Sequence, residues 1–228
     1  METRKAGMSP GNRLETGAAI LAAARVVDTE LVTPRLTKFT AAHRSYVAAQ
    51  RKVEAVEAQV REAQAGVLRS DAEQDEAVEA LARALVAEGQ PRTNPFAAFG
   101  AAAPSAVKKL TVAEEAKAIH QLVAAVQRSK TVNQVTRDAA QAAEQAARAM
   151  EAALLPMDSL EVALRNARHE RDAVGQTWET TLAALRRGAR SAADDGAPGL
   201  YTALFGRVNR PTTKKAKPAP AAPIANPA

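Results

Sequence analysis

The sequence predicts an all-α protein, an elongated antiparallel helical bundle of coiled-coil hairpins followed by a disordered C-terminal tail. Alanine, the residue with the highest helix propensity, supplies about a quarter of the chain. Large apolar side chains recur every three or four positions over long stretches, as they do on the buried face of a helix. Glycine and proline, which interrupt helices, are absent from residues 35–65 and 105–155.

The composition also indicates how these helices pack. Leucine, isoleucine, valine and phenylalanine together make up just under one fifth of the residues, which is few for a thick globular core. The net charge of +6 is modest, so disorder of the whole chain is not indicated. Helices that approach closely through alanine need fewer large side chains per layer. A folded helical bundle is therefore compatible with this low content of large apolar residues.

In the first half, a helix is expected at about residues 15–32, and Thr33 followed by Pro34 is a typical start for the next one. A large residue then recurs every seven positions, with mostly alanine three positions further on. Such a heptad seam predicts one uninterrupted helix over residues 35–65. The large residues of the seam are Val32, Phe39, Tyr46, Val53, Val60 and Val67.

A turn into an antiparallel helix is expected after this seam. Gly66 disfavours the helix, and Ser70 with Glu73 forms a capping box that favours a new start. The returning helix would end at Gly89. Its buried stripe would consist of Val78, Leu81 and Leu85.

The second half shows the same kind of pattern. Thr111 and Glu114 form a second capping box, followed by an apolar face of Val112, Ala116, Ile119, Val123 and Val126. Pro156, with Asp158 and Glu161 after it, predicts a break or sharp kink at residues 155–158. A long stripe crosses this break and consists of Val132, Val135, Ala139, Ala142, Ala146, Ala153, Met157, Leu160, Leu164, Ala167, Val174, Trp178 and Leu185.

These patterns divide the chain into six segments. Two helical units are separated by a linker rich in Pro, Gly and Phe, and short segments of other character flank them. The segments are a flexible N-terminus at 1–13, the first helical unit at 14–89, the linker at 90–104, the second helical unit at 105–195, an aromatic element at 196–206 and a disordered basic tail at 207–228.

No motif for chemistry is present. The chain has no cysteine, and its histidines, His43, His120 and His169, stand far apart without metal-binding spacing, so we interpret them as partly exposed helix residues. Neither a phosphate-binding glycine loop nor a nucleophile elbow occurs. We therefore expect no enzyme, no cofactor and no bound metal.

Two short aromatic elements stand out from the helices. Their large side chains either cover the ends of the bundle, which we favour, or form docking motifs for a partner or a lipid-like surface. The candidate residues are Phe96, Phe99, Tyr201, Leu204 and Phe205.

The basic charge lies at the ends of the chain. Residues 196–228 carry five basic side chains and no acid, and residues 1–13 add a net +2, so residues 14–195 keep only −1. A groove for a nucleic acid duplex is therefore not expected on the helices. Weak, salt-sensitive contact with nucleic acid or an anionic surface is expected only from the tail, through Arg207, Arg210, Lys214, Lys215 and Lys217.

The seams are the features that indicate function. We expect a non-catalytic helical scaffold or interaction protein that associates with a protein partner or with itself through coiled-coil seams. Regular heptads favour a defined helical partner over a plane of lipid. The seam residues expected to mediate association are Phe39, Tyr46, Val53, Val60, Leu160, Leu164, Trp178 and Leu185.

Two alternatives stay open. The alanine-rich, aromatic-poor composition with a Lys-Pro-Ala tail is similar to that of the phasins of bacterial storage granules, although their motifs are not found here. That resemblance implies an amphipathic coat protein on a hydrophobic granule or membrane surface. The other alternative is a nucleoid-associated protein that uses the basic tail.

The sequence also bears on location. No apolar run approaches the roughly 20 residues of a membrane-spanning helix. Residues 18–24 follow basic residues as a signal-peptide core does, but they are few, weakly apolar and preceded closely by Glu15. We expect a cytoplasmic protein, with secretion the less favoured alternative.

Overall fold

A computed structural model describes residues 8–206, which form α-helices joined by short turns and contain no strand. The all-α prediction is confirmed. The helices are α1 (Pro10–Ala23), α2 (Thr33–Ala87), α3 (Pro104–Val107), α4 (Val112–Arg128), α5 (Gln134–Leu154), α6 (Met157–Ser191) and α7 (Leu200–Phe205), with 3-10 turns at Glu30–Val32 and Ala97–Phe99.

The helix predicted over residues 35–65 is confirmed, but the turn predicted after it is wrong. Helix α2 continues through Gly66 and Ser70 to Ala87. A single glycine costs a helix only about 1 kcal/mol relative to alanine, and the strong helix formers on both sides outweigh that cost. A capping box marks a start only where the preceding chain leaves the helix.

The first helix lies earlier than predicted. Ser9 caps α1 by accepting a hydrogen bond from the Asn12 backbone N–H at 3.3 Å, and Pro10 occupies the first turn. Part of the segment predicted to be flexible is therefore helical. The helix ends at Ala23, and in the turn that follows the Asp28 carboxylate accepts a hydrogen bond from the Glu30 backbone N–H at 2.9 Å.

The second half follows the prediction except in the register of one stripe. The backbone N–H of Thr111 donates to the Glu114 carboxylate at the start of α4, and the helix breaks between α5 and α6 as expected. On α5, however, Val135 is 70% exposed. The buried positions of α5 are Thr136, Ala140, Ala143, Ala147 and Met150. Alanine covers every side of this helix, so the sequence pattern does not distinguish its faces.

The chain forms two compact units, residues 1–50 with 171–228 and residues 51–170. We call these unit 1 and unit 2. Their bounds are not those of the predicted segments, because α2 and α6 each contribute to both units. The core of unit 1 includes Ile20, Phe39, Tyr46, Trp178, Leu185, Leu204 and Phe205. The core of unit 2 includes Val78, Leu81, Leu85, Phe96, Ile119, Val126 and Ala143. None of the described helices is long and apolar enough to cross a lipid bilayer.

Candidate interaction surfaces

The predicted seam residues of unit 1 meet inside one chain. Phe39 and Tyr46 on α2 are fully buried, and their ring centroids lie 5.6 and 6.3 Å from that of Trp178 on α6. Leu185, two turns further along α6, is also buried. This part of the seam is filled by the chain's own helix and is not open to a partner.

The seam residues of unit 2 are covered less completely. Val53 is 1% exposed, whereas Val60, Leu160 and Leu164 are half-buried. Two ion pairs join α2 to α6 here, Lys52 with Glu170 and Glu57 with Arg168, the latter at 2.8 Å. The residue later in α2 pairs with the residue earlier in α6, so the two helices run antiparallel in this unit.

His43 lies in the core of unit 1 and is not the partly exposed residue that the sequence indicated. The indole N–H of Trp178 donates to His43 Nδ1 at 3.2 Å. A β-carbon at Gly17 of α1 would lie 2.2 Å from the same nitrogen, so only glycine allows this approach. Burial lowers the pKa of His43. The signal missed in the sequence was its place in the seam, between Phe39 and Tyr46.

Arg13 of α1 ties the first helix to the same cluster. Its guanidinium donates to Glu179 at 2.6 Å and lies over the ring of Tyr46, 5.5 Å from the centroid. A guanidinium over an aromatic face is attracted by the ring electrons. The cluster of Arg13, His43, Tyr46 and Trp178 therefore holds α1, α2 and α6 together within unit 1.

His120 joins α4 to α5 in unit 2. Its Nδ1 lies 2.8 Å from Glu144 and its Nε2 lies 3.2 Å from Glu151. Hydrogen bonding to Glu144 first, and then to Glu151, raises the pKa of His120. This arrangement stabilises the helix pair most when the imidazole is charged.

The two histidines predict opposite pH dependences of stability. Because the pKa of His43 is lowered, the unfolded chain binds more protons once the pH falls below about 6.5, and stability decreases as pH falls toward the folded-state pKa. Because the pKa of His120 is raised, its contribution is complete below about 6.5 and is lost as pH rises through the folded-state pKa.

We expect His43→Gln to reduce the loss of stability on acidification and His120→Gln to reduce the loss as pH rises. Urea unfolding of the wild type and both variants between about pH 5 and pH 8 measures these slopes, each pKa unit of difference being worth about 1.4 kcal/mol. A His43→Gln variant with the wild-type acid slope would show that His43 is not held neutral.

The candidate docking residues are mainly core residues. Phe96, Leu204 and Phe205 are buried, and Phe99 and Tyr201 are half-buried. The Arg186 guanidinium covers the Phe205 ring at 5.5 Å. Phe96 belongs to the core of unit 2, and Leu204 and Phe205 to that of unit 1. The burial of these three side chains supports packing as their role rather than docking.

Both units expose apolar side chains. In unit 1 an uncharged groove lies between α1 and α7, lined by Ala19, Ala22, Val26 and Ala203, with Val26 82% exposed. In unit 2 Leu155, in the turn before α6, is 81% exposed, and Val162 on α6, seven residues later, is 50% exposed. Sequence reasoning missed both, because it followed only the stripe that faces the core.

The five candidate anion-binding side chains, all at positions 207–217, lie outside the described residues. Within residues 8–206, no group of three or more His, Cys, Asp or Glu side chains is placed to hold a metal ion. No known protein family, curated protein or solved structure matches this chain.

Proposed function

We propose that this protein is a non-catalytic helical scaffold that associates with a protein partner or with a second copy of itself. The observation that supports this proposal is that α6 carries apolar side chains on two of its sides. One side packs within the chain, and the other side bears the exposed Val162, with the exposed Leu155 in the turn just before the helix. Exposed apolar side chains on an unpartnered side of a helix are typical of surfaces that bind another helix.

The charge distribution supports a protein partner over a nucleic acid duplex. Residues 14–195 have a net charge of only −1, with acids and bases interspersed along α2 and α6. Mixed charge at the rim of an apolar stripe favours a specific helical partner, whereas a duplex would require a concentrated basic face. The surplus of basic charge lies at the two ends of the chain, and the nucleoid alternative assigns the contact to the basic side chains of the tail.

The coat-protein alternative is supported by the groove of unit 1. It carries no charged side chain and exposes Val26, and such a surface suits a hydrophobic granule. We rank this alternative second because three of the five large side chains expected to bind such a surface are buried in the cores.

A pull-down of the tagged full-length protein from its own cells tests the proposal. The matched bait carries Arg207, Arg210, Lys214, Lys215 and Lys217 replaced by glutamine. We expect the same protein partner with both baits, because association is assigned to the helices. Recovery of nucleic acid with the wild-type bait alone would favour the nucleoid alternative, and recovery of granule or membrane material with both would favour the coat alternative.

A further inference from the structure

A second stripe runs along the exposed side of α6. Leu155, in the turn before the helix, is followed at intervals of four, three, four and three residues by Ser159, Val162, Asn166 and His169. All five side chains are exposed, and none is acidic, Lys or Arg. We call these residues the outer stripe. From Ser159 to His169 on α6 this is the heptad spacing by which one helix meets another, and Leu155 extends the stripe into the preceding turn.

Two charged side chains flank the outer stripe on one edge. Asp158 precedes Ser159, and Arg165 precedes Asn166, so both occupy the position just before a core position of the heptad. Both are exposed, and neither forms an ion pair with another residue in the part of the chain that the structure describes. The edge of the stripe therefore presents one negative and one positive charge, two helical turns apart.

We infer that the outer stripe binds the outer stripe of a second copy of this chain, antiparallel to it. In this register Val162 of each copy faces Ser159 of the other. Heptad geometry then places Asp158 of each copy beside Arg165 of the other, and symmetry forms this pair twice. This inference rests on the proposed scaffold function and specifies its partner and mode of association.

The charges favour the antiparallel arrangement over a parallel one. In a parallel pair Asp158 would face Ala163 of the other copy, and Arg165 would face Glu170, which already pairs with Lys52 in its own chain. Only the antiparallel arrangement pairs both of the unpaired charges. A contact of about four turns, roughly 21 Å, lies at the small end of specific interfaces, so association in the micromolar range is expected.

Sedimentation equilibrium of the full-length protein from about 1 to 300 μM tests the inference, with circular dichroism to verify folding of each variant. We expect reversible dimers. Val162→Asp should abolish them, because it buries two unpaired carboxylates. Val135→Asp, which changes a valine on α5 outside the stripe that is 70% exposed against 50% for Val162, should leave them unchanged.

Charge exchange tests the register. Asp158→Arg alone or Arg165→Asp alone places like charges opposite each other twice, so each should weaken the dimer about tenfold. The double exchange restores complementarity and should return the affinity to within about threefold of wild type.

Several outcomes would overturn the inference. They are a monomer at every concentration, a dimer insensitive to Val162→Asp, a dimer insensitive to Asp158→Arg, and single-variant losses that the double exchange does not repair. A monomer that still captures a protein partner in the pull-down would leave the scaffold proposal standing and remove only the self-association.

Discussion

Replacing Phe205 by alanine is expected to lower the free energy of unfolding by about 3–5 kcal/mol. The side chain is fully buried in the core of unit 1, next to the ring of Tyr201 at 5.1 Å and under the guanidinium of Arg186. Its removal sacrifices apolar burial and leaves a cavity that a helix of six residues cannot close by itself. Urea unfolding monitored by circular dichroism measures the change.

Leu68→Ala provides the matched control. Leu68 is large, apolar, 70% exposed and outside the outer stripe, so its truncation should change stability by less than about 0.5 kcal/mol. If Phe205→Ala unfolds like the wild type and instead loses a binding partner, α7 is a docking element and the assignment to the core is wrong.

Replacing Val53 by aspartate is expected to destabilise the protein by several kcal/mol or to separate α2 from α6 locally. Val53 is 1% exposed, and a carboxylate at this position would be buried without a partner. Thermal unfolding followed by circular dichroism compares this variant with Glu57→Ala, one turn further along α2.

Glu57→Ala is the appropriate comparison because its ion pair with Arg168 is accessible to solvent, with 32% of the Glu57 side chain and 52% of the Arg168 side chain exposed. Such pairs contribute about 0–1 kcal/mol. A clear difference between the two variants is therefore expected. Equal shifts in melting temperature would mean that Val53 does not face α6.

The buried part of the heptad seam on α2 was predictable from the sequence because its residues are distinctive. Phe39, Tyr46 and Val53 are large side chains at a strict interval of seven, and only one face of a helix collects such residues. The break at residues 155–158 was predictable for a similar reason, since proline removes a backbone donor wherever it stands. In both places the local chemistry decides the structure.

The turn wrongly predicted at Gly66 and the buried face wrongly predicted on α5 have a common cause. At Gly66 and along α5, several local structures differ by only about 1 kcal/mol, and packing against neighbouring helices selects among them. The burial of His43 likewise depends on Gly17 and Trp178, which are distant in sequence and adjacent only after folding. The candidate surface on α6 escaped notice because its Ser and Asn side chains do not mark an apolar stripe.

The sequence by itself determined the helical class, the long uninterrupted helix over residues 35–65, the break before α6 and the buried residues of the heptad seam on α2. Helix propensity, proline and heptad spacing act through the nearest neighbours, so these features can be read locally. Only the tertiary structure decided which seam residues are covered, which faces stay exposed and which helices form each unit. Those outcomes depend on contacts between residues far apart in the chain. Where alanine occupies every face of a helix, the local sequence pattern does not show which face is buried.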